Sequence, residues 1–294
     1  MSTLLYFKYE LKANYKLSNF CHTNKIIYLC SRYDILNMNE SSKINQSKIN
    51  RLMQEYPKGL VLLSSWLVSE GYPYELQQQY RKSGWLKSIG NGAMLKSNDP
   101  FLLSGALAAL QSQANISIHL GGRTALELNG VAHYLQLSAP EVTLFAPGKT
   151  KLPSWFISNK WDVEYKIFRT TLFVSESVGL TDYSDAGINM KISTSARAMM
   201  ECLSLCPKDF SLSEAYELME GLSTLRPKQV QELLEVCTSI KVKRLFLCFA
   251  ERAGHSWFKY IDQTTIDLGS GNRSLANSGV LVPKYSLVLP KEFS

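Results

Sequence analysis

A chain of 294 residues that is 45% hydrophobic and 19% charged is long enough for two domains and too apolar for a disordered protein. Its formal net charge of +7 is one-sided: residues 1–98 hold 13 Lys+Arg against 6 Asp+Glu, and residues 99–294 hold 19 of each. A chain with one module that meets a polyanion and another with a different task shows this asymmetry.

Residues 1–37 mix Tyr, Phe, Asn and Lys without a period and contain no apolar run of signal-core or membrane-spanning length. They read as a poorly ordered leader of charge +3, with Met38 opening the folded chain; a DNA-contacting arm is the alternative. From Ser41 to Tyr56 a helix is expected, because Ile49, Leu52, Met53 and Tyr56 fall on one stripe. Pro57-Lys58-Gly59 ends it, and Leu60-Val61-Leu62 reads as a short strand.

Residues 60–96 carry the clearest pattern. Ser64 or Ser65 is the expected cap of a short helix through Trp66, Leu67 and Val68, and Gly71-Tyr72-Pro73 is a turn. A second helix over about 74–83 turns Leu76, Tyr80 and Ser83 inward. Tyr74, Gln78 and Arg81 then face outward, flanked by Gln77 and Lys82. Arg and Lys reach phosphates or guanine edges, and Gln can grip adenine at two points, so this surface suits DNA. Residues 85–89 and 93–96 alternate as strands about Gly90-Asn91-Gly92. The whole is a winged helix-turn-helix over residues 38–98, with Lys87, Asn91 and Lys96 on the wing as further DNA contacts.

The boundary is expected at Ser97–Pro100, leaving 99–294 as a larger mixed α/β domain. Asp99-Pro100 can open a helix through Gln113, followed by an alternating strand over 116–120. Gly121-Gly122 then leads into a helix over 123–129. Such a start can hold an anion beside Arg123, and a tight strand-to-helix connection needs the same glycines. Strands are expected over 142–145, 163–168 and 188–192, then a helix capped by Thr194 or Ser195 through Leu205. Helices over 211–221, 227–237 and 241–253 precede a hairpin that turns at Gly269-Ser270-Gly271-Asn272 and closes at 285–289.

Recognisable reaction chemistry is missing. His22, His119, His133 and His255 stand apart in sequence, and there is no HExxH, GxSxG, Walker loop or full GxGxxG. Cys21, Cys30, Cys202, Cys206, Cys237 and Cys248 form no CxxC pair; buried thiols of a reduced, cytoplasmic protein are expected, with a zinc half-site at Cys202 and Cys206 as the alternative. Glu214, Glu217 and Glu220 read as a solvated helix face. Neither an enzyme, a cofactor nor a metal ion is expected.

One family resemblance runs through the chain. Lys82-Ser83-Gly84-Trp85-Leu86 with Gly90-Asn91-Gly92-Ala93-Met94 resembles the wing of AbiEi-type antitoxins of type IV toxin–antitoxin systems, which act in abortive infection. The likeness continues through residues 120–128, Ala132-His133-Tyr134-Leu135, the segment 195–203 and Leu268-Gly269-Ser270-Gly271, covering about 41–294. Asn91 departs from the basic residue that many relatives have between the wing glycines. The resemblance implies a bacterial autorepressor that binds inverted repeats in its operator DNA. It also implies an antitoxin domain counteracting an AbiEii-like nucleotidyltransferase toxin encoded next door, with Arg123 as that domain's candidate residue. A ligand-responsive winged-helix regulator is one alternative, and an enzyme with a phosphate site at Gly121-Gly122-Arg123 is another.

Overall fold

A computed structural model describes residues 48–131, 141–276 and 278–293, and the chain divides into Met1–Glu55 and Tyr56–Ser294. In the first unit residues 48–55 are helical, with Ile49 and Leu52 buried as their spacing requires. The expected leader and the start of the expected helix lie outside the described residues.

The second unit opens with β1 (Leu62–Leu63), α1 (Ser64–Ser69), α2 (Tyr74–Lys82), β2 (Leu86–Gly90) and β3 (Ala93–Lys96). These three strands form an antiparallel sheet in the order β1-β3-β2, with Leu62 opposite Met94 and Leu63 opposite Ala93. This is the expected winged helix-turn-helix. Gly84 ends α2 with φ +74°, and the Trp85 N–H reaches back to the Tyr80 carbonyl at 2.9 Å, a glycine-stopped helix end. Neither serine caps α1. Ser64 is its first residue, and the Ser64 N–H is satisfied by the Gly92 carbonyl at 2.8 Å.

The larger part of the unit begins with α3 (Leu103–Ser112), β4 (His119–Leu120), α4 (Gly122–Leu128), β5 (Glu141–Pro147) and α5 (Ser154–Ser158). It continues through β6 (Glu164–Thr170), β7 (Leu180–Asp185) and β8 (Ile188–Ser193). The five strands make one mixed sheet, β6-β5-β4-β8-β7, in which β5 and β6 run parallel, as do β4 and β8. Next come α6 (Ser195–Leu205), α7 (Leu212–Glu220), α8 (Pro227–Val236) and α9 (Ile240–Arg252). A small sheet, β10-β11-β9, closes the chain from β9 (Arg273–Ser274), β10 (Val280–Val282) and β11 (Leu287–Leu289).

Several expected details come out differently, each because a distant group intervenes. Asp99 does not start α3: its carboxylate accepts the Gly59 N–H at 2.9 Å, while Asp162 takes the Leu103 N–H at 2.8 Å. The expected strand over 116–120 shortens to His119–Leu120. Thr194 precedes α6, but its hydroxyl is buried without a partner. Strand β7, Leu-Thr-Asp-Tyr-Ser-Asp, was not expected from its polar sequence; it is an edge strand held along its whole length by β8.

The core forms two clusters. One gathers α6 to α9 and the closing strands. The other joins Val61, Ile89 and Leu95 of the winged module to Leu103 and Leu107 on α3 and to Leu144 and Ile192 on the large sheet. Helix α3 is therefore apolar nearly all round, with seven of its ten residues buried. A Cβ at Gly105 would lie 1.9 Å from the Gly59 carbonyl oxygen, so only glycine lets this helix come so close. The boundary expected at 97–100 is a change of element within one shared core.

Candidate functional site

Helix α2 has two unlike faces. Leu76 and Tyr80 are buried one turn apart, and burial, with a smaller contribution from Tyr72, pushes the Tyr80 phenol up to about 12. On the outward side Tyr74 is 59% exposed, and Gln78, Arg81 and Lys82 are exposed with it. Gln79, which the sequence reading passed over, is also exposed. The Arg81 Nη1 lies 3.2 Å from the Met94 sulfur, a weak acceptor, so the guanidinium stays available to a stronger one.

Gln77 is not on this surface. It is fully buried, and its Nε2 donates to the Ser64 carbonyl at 3.0 Å and the Tyr72 carbonyl at 2.7 Å. The residue that looked like a DNA contact ties α2 to the start of α1 and to the turn between them. The rotation of α2 decides this, because Gln77 falls beside Leu76 and Tyr80 on the inner arc.

The wing lysines are diverted too. Lys87 Nζ donates to the Asp99 carbonyl at 3.0 Å and sits over the Phe101 ring at 4.6 Å. Lys96 is buried, donating to the Tyr56 carbonyl at 2.7 Å with the Asp99 carboxylate 3.8 Å away. Every residue of β3 is buried, so a lysine there must find its partners inside. Asn91 remains exposed at the wing tip. Behind it Asn159 donates to the Ile89 carbonyl at 2.7 Å, and a Cβ at Gly90 would come within 2.7 Å of the Trp155 side chain.

At the centre of the larger part lies a buried polar cluster that sequence spacing did not reveal. Glu201 on α6 accepts from Arg197 Nε at 2.9 Å, Ser193 Oγ at 2.8 Å and the Gly122 N–H at 2.9 Å, and it pairs with His119 Nε2 at 2.9 Å. Burial pushes its carboxyl up, but His119 and Arg197 together outweigh that and hold it below the ordinary carboxylate range. A Cβ at Gly121 would stand 2.3 Å from this carboxylate. The glycine pair ahead of α4 therefore does receive an anion, and that anion is the protein's own glutamate. Arg123 bonds Glu127 at 2.9 Å and Glu214 at 2.5 Å, which joins α4 to α7 and takes Glu214 off the expected solvated face.

Another buried cation has no carboxylate partner among the described residues. Arg244 on α9 donates to the carbonyls of Leu268, Gly269, Gly271 and Ser286 at 2.6–3.2 Å. The Gly269–Asn272 segment is thus a carbonyl cage around an arginine, not a hairpin turn. Cys202, Cys206, Cys237 and Cys248 are free and buried; burial pushes their thiols up, to about 12 at Cys206 and about 11 at Cys248, which keeps them protonated. Cys21, Cys30, His22 and His133 lie outside the described residues. His255 is buried, bonded to the Met219 carbonyl at 2.6 Å. Among the described residues no helix is long and apolar enough to cross a membrane.

Known proteins give a consistent answer. Residues 45–137 match the family model of the AbiEi antitoxin N-terminal domain, a transcriptional regulator. Residues 139–290 match the model described as transcriptional regulator, AbiEi antitoxin, type IV TA system. No curated protein sequence matches the chain. The crystal structure of the RV2827C protein from Mycobacterium tuberculosis aligns over 84% of this chain and 90% of that one, with a TM-score of 0.50 and 12% identity, a likeness of fold alone. A winged helix-turn-helix followed by a mixed α/β body, matched by the two models over residues 45–137 and 139–290, identifies the chain as a member of the AbiEi antitoxin family of type IV toxin–antitoxin transcriptional regulators.

Proposed function

We propose that this protein acts in the cytoplasm as an autorepressor and antitoxin. Helix α2 enters the major groove of inverted repeats in its own operator, and the chain counteracts an AbiEii-like nucleotidyltransferase toxin encoded beside it. The observation that carries the DNA reading is the outward row on α2, where Tyr74, Gln78, Arg81 and Lys82 are all exposed while Leu76, Gln77 and Tyr80 hold the helix from behind. The excess positive charge of residues 1–98 supports it, as does membership of a regulator family. In this reading residues 38–98 supply the DNA contacts and residues 99–294 the antitoxin role, with Arg123 among its candidates.

Replacing Gln78 and Arg81 together by Ala tests the groove assignment. A good base contact is worth roughly 1–3 kcal/mol, so the double variant is expected to lose about ten-fold to several-thousand-fold in operator affinity while its melting temperature stays put. Unchanged affinity in a gel-shift titration removes α2 from the groove. The same variant, expressed from an independent promoter beside the toxin, is expected still to restore growth; failure to do so would mean the two roles are not separable.

A further inference from the structure

A cleft of about 740 Å³ opens at one end of the five-stranded sheet, within the range of small-molecule sites. It lies between the segment leading into β4, the ends of β5 and β6, and the loop that follows β6. His119 and Arg197 line it, and both are buried. Their bonds to Glu201 use His119 Nε2 and Arg197 Nε, and Arg197 Nη1 is taken by the Glu176 and Val178 carbonyls. His119 Nδ1 and Arg197 Nη2 have no hydrogen-bond partner among the described residues. Neither is sealed away, because the fully buried side-chain atoms without a partner are Gln77 Oε1 and Thr194 Oγ1. Both nitrogens therefore keep some access to solvent, and both residues line the cleft.

The rest of the lining is divided. Leu172, Phe173 and Val174 make an apolar wall, and Val174 is 79% exposed. Lys191 also lines the cleft, paired with Asp182 at 2.6 Å in an ion pair that solvent reaches from both ends. Glu176 is the one carboxylate among the lining side chains, and it is exposed. A ligand that brings an anionic acceptor replaces water at this guanidinium nitrogen with a charge-assisted hydrogen bond.

We propose that this cleft binds a small organic acid, its carboxylate or phosphate head on Arg197 Nη2 and His119 Nδ1 and its apolar body along Leu172, Phe173 and Val174. The head suits the histidine in either charge state. With Nε2–H donating to Glu201, the ring accepts at Nδ1 from a neutral acid, or takes that same proton and donates to the anion. One shared proton serves both arrangements. The inference stands apart from the DNA reading, since it concerns a different face and needs no operator.

Calorimetric titration of the full chain tests it with three probes: 3-phenylpropionate, phenyl phosphate and the methyl ester of 3-phenylpropionic acid. One acid is expected to bind at a ratio of one per chain, and the ester, which lacks the proton and the charge, about ten-fold or more weakly. Whichever acid binds more tightly names the head. Because Arg197 and His119 help hold the fold, the variants are Ser117→Trp and Thr171→Trp, each filling the cleft from an exposed position. Both are expected to keep the parent's melting temperature and lose the acid. The proposal is overturned if neither acid gives saturable binding, if the ester binds as tightly as the acids, or if the folded tryptophan variants bind as the parent does.

Discussion

Three Arg–Glu pairs among the described residues share a spacing of four residues and nearly the same length, and two of them stand at the extremes of exposure. Arg51 Nε meets Glu55 at 2.8 Å on the helix of residues 48–55, and Arg197 Nε meets Glu201 at 2.9 Å on α6. The first pair is 60% and 46% exposed, the second 6% and 1%. In water such a pair offers a few tenths of a kcal/mol, because the solvent competes for both charges. Inside, the same pair must answer for the desolvation of two ions, and it does so only with help: Gly122, Ser193 and His119 complete the carboxylate, and two carbonyls accept from the guanidinium's Nη1. Identical spacing thus tells nothing about consequence. The number of further partners brought in by the fold does.

The sharpest way to test that contrast is to remove one charge. Glu201→Ala is expected to cost about 3–5 kcal/mol in a urea unfolding titration, because it strands a buried guanidinium. Glu55→Ala, its exposed twin, should stay within about 0.5 kcal/mol of the parent. Similar losses at both sites would end the distinction. Acid gives the same contrast another reading. The folded Glu201 carboxyl is held below its ordinary value of 4.5, so its contribution is fully present above that pH and is lost as pH falls through the lower folded value. Glu201→Gln keeps the shape without the titration, and its melting temperature should fall less steeply than the parent's below about pH 4.5.

A smaller contrast separates two adjacent glutamines. Gln77→Ala leaves the Ser64 and Tyr72 carbonyls without their donor and should cost about 1–3 kcal/mol in the same titration. Gln78→Ala should leave stability unchanged and lower operator affinity only. If the two substitutions exchange these effects, α2 is rotated from the orientation described here.

The smallest effect is in the salt dependence of operator binding. Lys82 is exposed, so Lys82→Ala should reduce the slope of log affinity against log salt by about 0.9 for one lost phosphate contact. Lys87 is engaged with Asp99 and Phe101, and Lys87→Ala should leave that slope alone. A reduced slope for Lys87→Ala would show that the wing lysine leaves its partners and reaches DNA.

Much of the fold was legible because its cues are local. Gly71, Gly84 and the Asn91-Gly92 turn mark where the winged module must change direction, and positive φ at those glycines confirms it. The stripes Val230, Leu233, Leu234 and Val242, Leu245, Phe246, Phe249 put α8 and α9 where helical spacing required, and all seven residues are buried. Strand β7 was missed because an edge strand with polar outward residues carries no apolar alternation; only its pairing with β8 makes it a strand. The Arg244 cage was missed for a related reason. Its acceptors are main-chain carbonyls 24–42 residues away, and a carbonyl has no signature in the sequence.

By itself, then, the amino-acid order determined most of the longer helices, where the wing turns, that positive charge gathers in the first third, and which family the chain resembles. These depend on neighbours a few residues apart, whose mutual geometry is nearly constant in a helix or hairpin. Only the tertiary structure decided that Gln77 and Lys96 face inward, that Glu201 occupies the anion position at Gly122, and that Arg123 is shared between two glutamates. A polar side chain on a helix has the same local geometry whether it faces water or the core. Its role is set by the partners that packing brings from 79 or 91 residues away.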